Sequence, residues 1–311
     1  MKIYVGVTDN DWYDYLSSLQ PLDEVNFWQP SAYSPLKLLP QGGLFLFKLH
    51  SPRNYIAGGG IFASATTLPI SLAWEAFQQK NGAPTYGEMR RLIVEKRGAP
   101  DNHLEDFQIG CILLTQPFFF KESQWFPPPE WAPNIVRGKS YDVSKEAGKF
   151  ILRKVEQRLA VKQDMYIDKE GRGIIEPHAR YGEGILVKPR LGQGSFRILV
   201  TDAYNRSCAV THERALPVLE AVHIRSYSDG GPHAVNNGLL LRSDMHKLFD
   251  KGYMTITPQL HIEVSRRIRE EFDNGEYYFT FHGKQAHSPR ISEDRPSPEF
   301  LTWHNENIFK G

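Results

Sequence analysis

The stretch from Leu219 to Asp250 constrains this chain more than any other feature. Leu219-Glu220-Ala221-Val222-His223-Ile224 is a short apolar run that reaches a histidine. Asn237 follows 14 positions later, at the head of Asn237-Gly238-Leu239-Leu240-Leu241. His246 stands 9 positions beyond Asn237, and Asp250 4 beyond His246. Between His223 and Asn237 lies Ser228-Asp229-Gly230-Gly231-Pro232, a cluster of turn formers that lets the chain double back. Ser243 to Phe249 suits a short helix, on which His246 and Asp250 share one face.

These residue types suit one chemistry. Phosphodiester hydrolysis needs an activated water, positive charge at the phosphate and a fixed geometry. An imidazole near its unperturbed pKa takes a proton from water at neutral pH, and a strand would present His223 at a fixed point. Asn237 can orient that imidazole or tie together the loop between strand and helix. His246 and Asp250 offer nitrogen and carboxylate ligands to a divalent ion, with Mg²⁺ or Mn²⁺ expected. Each element taken singly has a structural reading: a histidine at a strand end is commonly a satisfied packing residue, and Asn-Gly is a common turn.

The segment from about Arg206 to Thr255 resembles the HNH nuclease family with its ββα-metal fold. The residues that carry the resemblance are Cys208-Ala209-Val210-Thr211, then Leu219-Glu220-Ala221 with His223-Ile224, then Asn237 to Arg242, then Asp244, His246 and Leu248-Phe249-Asp250. The form is similar to the branch found in predicted bacterial restriction endonucleases. The resemblance implies that His223 is the general base, Asn237 the middle residue of the family name, His246 a metal ligand and Asp250 a further ligand. Many members place an Asp or His ligand directly before the base, where this chain has Val222. Glu220, Asp244 or water could complete the ligand set, with Glu220 first because it lies nearest His223 in sequence. Strand alternation argues against Glu220 unless the strand bends. Arg225, Arg242 and Lys247 flank the site as candidate phosphate contacts, with surface ion pairing as the alternative for the two arginines.

The rest of the chain reads as α+β. Its 311 residues suit two domains rather than one core. The expected division is 1–142 for DNA recognition, 143–195 as a helical linker and 196–311 as the nuclease domain. Phe45 to His50 and Tyr55 to Ser64 are strands joined by the turn Ser51-Pro52-Arg53-Asn54. Gly58-Gly59-Gly60 in the second strand calls for a bulge or a close backbone approach. Leu72 to Lys80 and Tyr86 to Lys96 are helical, and Ile109 to Thr115 is a strand. Val143 to Lys162 is a helix that Ser144 could cap, and Asp202 to Arg206 is a short helix. Asp168 to Gly194, with Lys188 and Arg190, is a connector or a loop over phosphates.

The N-terminal half resembles the PUA-like superfamily of small barrels that read modified bases. The carriers are an N-terminal strand, Asn26-Phe27-Trp28-Gln29-Pro30, and the hairpin from Phe45 to Ser64. That resemblance implies a β-barrel with helices, in which Trp28, Trp125 or Trp131 could stack on an extruded base. The alternative role for these rings is core packing.

With 41% hydrophobic and 23% charged residues the chain should fold, and the net charge of +1 does not by itself point to DNA. No apolar run reaches the roughly 18 residues of a membrane span. Met1 to Val7 reads as a strand and not a signal peptide, so a cytoplasmic location is expected. The two cysteines, Cys111 and Cys208, form no Cys-x-x-Cys pair and exclude a Cys-rich zinc site. The expectation is a metal-dependent DNA endonuclease of modification-dependent restriction or defence type. Its partner would be double-stranded DNA, with modified bases among the candidates. A double-strand cut from a one-metal site further suggests a homodimer. The alternatives are a DNA-binding module with a silent nuclease fold, or a nuclease whose N-terminal domain docks protein.

Overall fold

Alternating and wholly apolar runs in the first half build one mixed sheet. The computed structural model describes residues 2–32, 39–98, 102, 104–164 and 191–311. They fall into two units, Met1–Arg190 and Leu191–Gly311.

In the first unit the strands are β1 (Lys2–Thr8), β2 (Glu24–Gln29), β3 (Leu44–Leu49), β4 (Ile56–Pro69), β5 (Gln108–Phe119) and β6 (Gly138–Asp142). Their order is β2-β5-β4-β3-β1-β6. β1 and β3 run parallel, and the other pairs are antiparallel. All six residues of β3 are buried, as expected for a run without alternation. The ladder ends at β2 on one side and β6 on the other, so the described strands form an open six-stranded sheet. This corrects the expected closed barrel. Closure requires the two edge strands to pair, and β2 and β6 do not.

Gly58, Gly59 and Gly60 do both things their spacing suggested. The β4–β5 register shifts between Gly59 and Ile61 and again between Phe62 and Ser64. A Cβ on Gly58 would lie 2.3 Å from the Phe118 carbonyl oxygen, and one on Gly59 2.5 Å from that of Phe45. Only glycine lets the neighbouring strands close to this distance.

Helix α1 (Asn10–Ser18) starts where the Asp9 carboxylate accepts the amides of Asp11 and Trp12. Helices α2 (Ile70–Phe77) and α3 (Tyr86–Arg97) replace the two predicted helices with small shifts of boundary. Helix α4 (Glu146–Asp164) begins beyond Ser144, whose amide instead donates to the Asp142 side chain. Its Ile151 and Val155 are buried in a core with Ile3, Val5, Leu44 and Phe126.

The second unit opens with α5 (Gln193–Ala203). The short helix expected over 202–206 is the last turn of this longer one and the residues just beyond it. Lys188 and Arg190 lie outside the described residues. Then come β7 (Leu219–His223), β8 (Gly238–Arg242) and α6 (Ser243–Asp250). The pair β9 (Met254–Ile256) and β10 (Ile262–Val264) follows. Helices α7 (Arg267–Phe272), α8 (Glu276–Phe279) and α9 (Pro298–Asn307) close the chain. Phe196, Val200 and Tyr204, spaced by four on and just after α5, are buried with Leu239, Met245 and Phe249. That packing sets α5, the β7–β8 hairpin and α6 around one core. Among the described residues no helix is long and apolar enough to cross a membrane.

Candidate functional site

The hairpin of β7 and β8 is antiparallel, with Glu220 opposite Leu241 and His223 opposite Gly238. Its connection, residues 224–237, folds back on itself. The Ser226 hydroxyl accepts the Asp229 amide at 3.2 Å, and Gly230 takes the left-handed conformation at φ 82°. A Cβ on Gly231 would lie 1.9 Å from the Arg225 carbonyl oxygen, so the two ends of this turn touch.

Asn237 holds that loop shut. It is fully buried, and its Oδ1 accepts the Arg225 amide at 3.0 Å. Its Nδ2 donates to the carbonyl oxygens of Arg225 and Pro232, each at 2.9 Å. Every polar atom of the side chain is spent on backbone. Of the two roles open to Asn237 in the sequence, the contacts are those of loop tying.

The closed loop brings His233 to the end of β7. His223 Nε2 and His233 Nδ1 lie 2.9 Å apart. Phe196 of α5 stacks flat on His223, with centroids 3.9 Å apart and planes 10° from parallel. Tyr227 stacks on His233 at 4.9 Å and 15°. Burial against Phe196, with the neighbouring His233 as a smaller contribution, pushes His223 down to about 4. His223 is therefore a neutral imidazole at pH 7.

A second cluster forms between β7 and α6. His246 Nδ1 contacts the Glu220 carboxylate, and its Nε2 lies 3.0 Å from Asp250 Oδ2. Hydrogen bonding to Asp250 and then to Glu220 raises His246 above the ordinary histidine value against the cost of burial. Glu220 thus joins His246 and Asp250 despite the alternation argument. The burial pattern of β7 is not the alternating one of a regular strand, with Leu219 and Val222 inside and Glu220, Ala221 and His223 partly exposed. Val222, at the position where a ligand often precedes the base, is 2% exposed and belongs to the core.

Glu220, His246 and Asp250 have the donor chemistry for a divalent ion, one nitrogen and two carboxylates. The two carboxylates sit at opposite nitrogens of one ring, and among the described residues no group of three or more His, Cys, Asp or Glu converges as a ligand set. No hydrogen bond or ion pair between described residues joins this cluster to His223.

The flanking cations are placed as follows. Arg242 grips Asp244 through two N–H groups at 2.6 and 2.7 Å and donates to the Tyr277 hydroxyl at 3.0 Å. That occupies Asp244 as well, the other candidate ligand. Arg225 donates through Nε to the Asp229 carbonyl at 2.7 Å and lies over Trp303. Lys247 is exposed on α6.

The three tryptophans stand in different surroundings. Trp28 is buried on β2 and donates to the Asn81 carbonyl at 2.8 Å. Trp131 packs at the edge of the first-unit core, with the Lys48 ammonium 5.3 Å from its ring. Trp125 lines a cleft of about 360 Å³ with Tyr13, Arg53, Phe119 and Lys121.

His233, Phe196 and Tyr227 were missed in the sequence. Phe196-x-x-x-Val200-x-x-x-Tyr204 is a helical stripe that could have flagged α5. His233, directly after the Gly-Gly-Pro turn, carries no periodic signal.

The HNH endonuclease family model matches residues 208–257, which span β7, its loop, β8, α6 and β9. The matched segment lies in the C-terminal unit and is the one whose sequence resembles that family. No curated protein matches the chain. Among solved structures, a mutant ZmASCH protein from Zymomonas mobilis is 8% identical, with TM-score 0.32, over 49% of this chain and 98% of that one. The modification-dependent restriction endonuclease TagI is 12% identical, with TM-score 0.27, over 98% of this chain and 83% of that one. Both scores are too low to carry an argument about this chain.

Proposed function

We propose that this protein is a metal-dependent DNA endonuclease of the HNH type, acting in modification-dependent restriction or defence. The observation that carries the reading is the content of the family-matched window. One short strand holds both an imidazole kept neutral, His223, and a carboxylate, Glu220, bonded to the histidine of the following helix.

In this reading His223 is the general base that takes a proton from the attacking water. Asn237 holds the loop that frames it. His246, Asp250 and Glu220 would hold a divalent ion, Mg²⁺ or Mn²⁺. Such an ion would supply positive charge at the phosphate and leaving oxygen. A ring with both nitrogens on carboxylates is a double donor, and a ligand needs a lone pair, so His246 would have to exchange one of those carboxylate contacts for the ion. Lys247 and, once released from their present partners, Arg225 and Arg242 are the nearby phosphate contacts. The first unit recognises DNA, and its cleft beside Trp125 offers an aromatic face and the Arg53 guanidinium 5.6 Å from that ring.

The test is cleavage of modified and unmodified duplexes with Mg²⁺ or Mn²⁺. Metal-dependent cutting by the wild type, abolished in His223→Ala, is expected. No cutting of any duplex, or unchanged cutting by His223→Ala, overturns the reading.

One observation favours a second reading, a DNA-binding module with a silent nuclease fold. His246 is engaged by carboxylates through both nitrogens, and Val222 stands where many members have a ligand. That reading expects DNA binding that a metal titration leaves unchanged, without turnover.

A further inference from the structure

We propose that His233 is a positioning residue for His223, its Nδ1 accepting the proton on His223 Nε2. The inference deepens the nuclease reading and rests on it for the role of His223. Ring nitrogens 2.9 Å apart need one donor and one acceptor. Both directions satisfy the contact, but they have different consequences. With His223 donating, its proton is on Nε2 and its lone pair is on Nδ1. No hydrogen bond between described residues engages that Nδ1. With His233 donating, the lone pair of His223 is consumed at Nε2 and the ring cannot accept a proton from water through either nitrogen. A general base therefore requires the first arrangement.

The surroundings hold the pair from three sides. Phe196 fixes the plane of His223, and Tyr227 covers His233. Asn237 holds the Pro232 carbonyl, one residue before His233. In the reaction a water O–H bond breaks and its proton goes to His223 Nδ1. The water oxygen forms the new bond to phosphorus, the bond from phosphorus to the leaving 3′ oxygen breaks, and that oxygen takes a proton from solvent. The His223 imidazolium keeps Nε2–H donated to His233, so no proton has to move on to His233. This is the arrangement of a base oriented by a third group.

Nitrogen-15 NMR of histidine-labelled full-length protein reads the tautomer directly. At pH 7 the expected result is a protonated Nε2 and an unprotonated Nδ1 on His223. His233→Phe, which keeps a ring for Tyr227 to cover but removes the acceptor, is expected to mix the two tautomers. It should also lower kcat about tenfold or more with KM nearly unchanged. His233→Asn, which restores an acceptor oxygen, is expected to recover most of the rate. A His223 protonated on Nδ1 in the wild type overturns the proposal, and so does a His233→Phe protein with unaltered tautomer and rate. Wild type that cuts no duplex with either metal sinks the nuclease reading instead, and the NMR result still decides the role of His233.

Discussion

Asn237 sets the geometry of the loop between β7 and β8. One side chain satisfies an amide and two carbonyls on the two arms of a loop, and it does so fully buried. Asn237→Ala should destabilise the protein by about 2–3 kcal/mol, since the backbone partners lose their bonds without regaining water. Asn237→Asp keeps the acceptor and loses both donors, so it should also fold less stably, as urea titration would show. If either variant keeps wild-type stability, the loop does not depend on this residue. The candidate residues stand out in the sequence because their chemistry is unusual in an apolar run, and His223, Asn237, His246 and Asp250 all lie in the matched window. His233 was not legible, because a histidine after a turn acquires meaning only when the loop closes. The pairing of Arg242 with Asp244 is a tertiary choice of the same kind: a neighbouring carboxylate and a tyrosine on α8 take the cation.

The elements that carry the candidate site are a hairpin, its loop and the helix that follows. Gly231 is its tightest point, with the Arg225 carbonyl where a Cβ would stand. The clash is with backbone, so no rotamer relieves it. Gly231→Ala should open the loop and detach His233 from His223, lowering any nuclease rate by at least about tenfold. Amide hydrogen exchange should show faster opening across 225–237. Unchanged exchange would contradict the loop account. Strands and helices with a clear local signal are legible: β3 and β4 as apolar runs on either side of a turn, α3 and the stretch that forms α6 from their spacing. The sheet closure of the first unit was not, because local pattern specifies that a strand exists but not whether two distant edges pair. β5 was longer than expected because it continues beyond Pro117, where the chain bulges after Gln116 at φ 49°.

For the whole molecule, acid is the informative variable. His304 of α9 is 2% exposed, stacked on Phe249, with Nδ1 2.8 Å from the Thr255 hydroxyl and Nε2 3.2 Å from the Phe249 carbonyl. Burial pushes it down to about 4 from an ordinary value of 6.5. The unfolded chain thus takes up this proton at a higher pH than the folded one. The stabilisation is complete above about pH 6.5 and is lost as pH falls towards 4, on the order of 3 kcal/mol for His304. His223 acts in the same direction. Urea unfolding followed by circular dichroism from pH 7 to 4 should show this loss, and His304→Gln should flatten it. A stability that rises on acidification through this range would contradict the sign. In the first unit, Trp125→Ala is expected to weaken binding of base-modified duplex several-fold, whereas Trp28→Phe, at a buried ring, should not change the preference. Filter-binding titrations compare the two.

In the proposed reading residues 208–257 form a working hydrolytic site with His223 as its base. The most direct measurement is the rate of duplex cleavage by full-length wild type and by His223→Ala, each with Mg²⁺, with Mn²⁺ and with chelator. Cutting by the wild type should need the ion and should fall by about a hundredfold or more in the variant. Cutting that survives chelation, or that is equal in the two proteins, would contradict it.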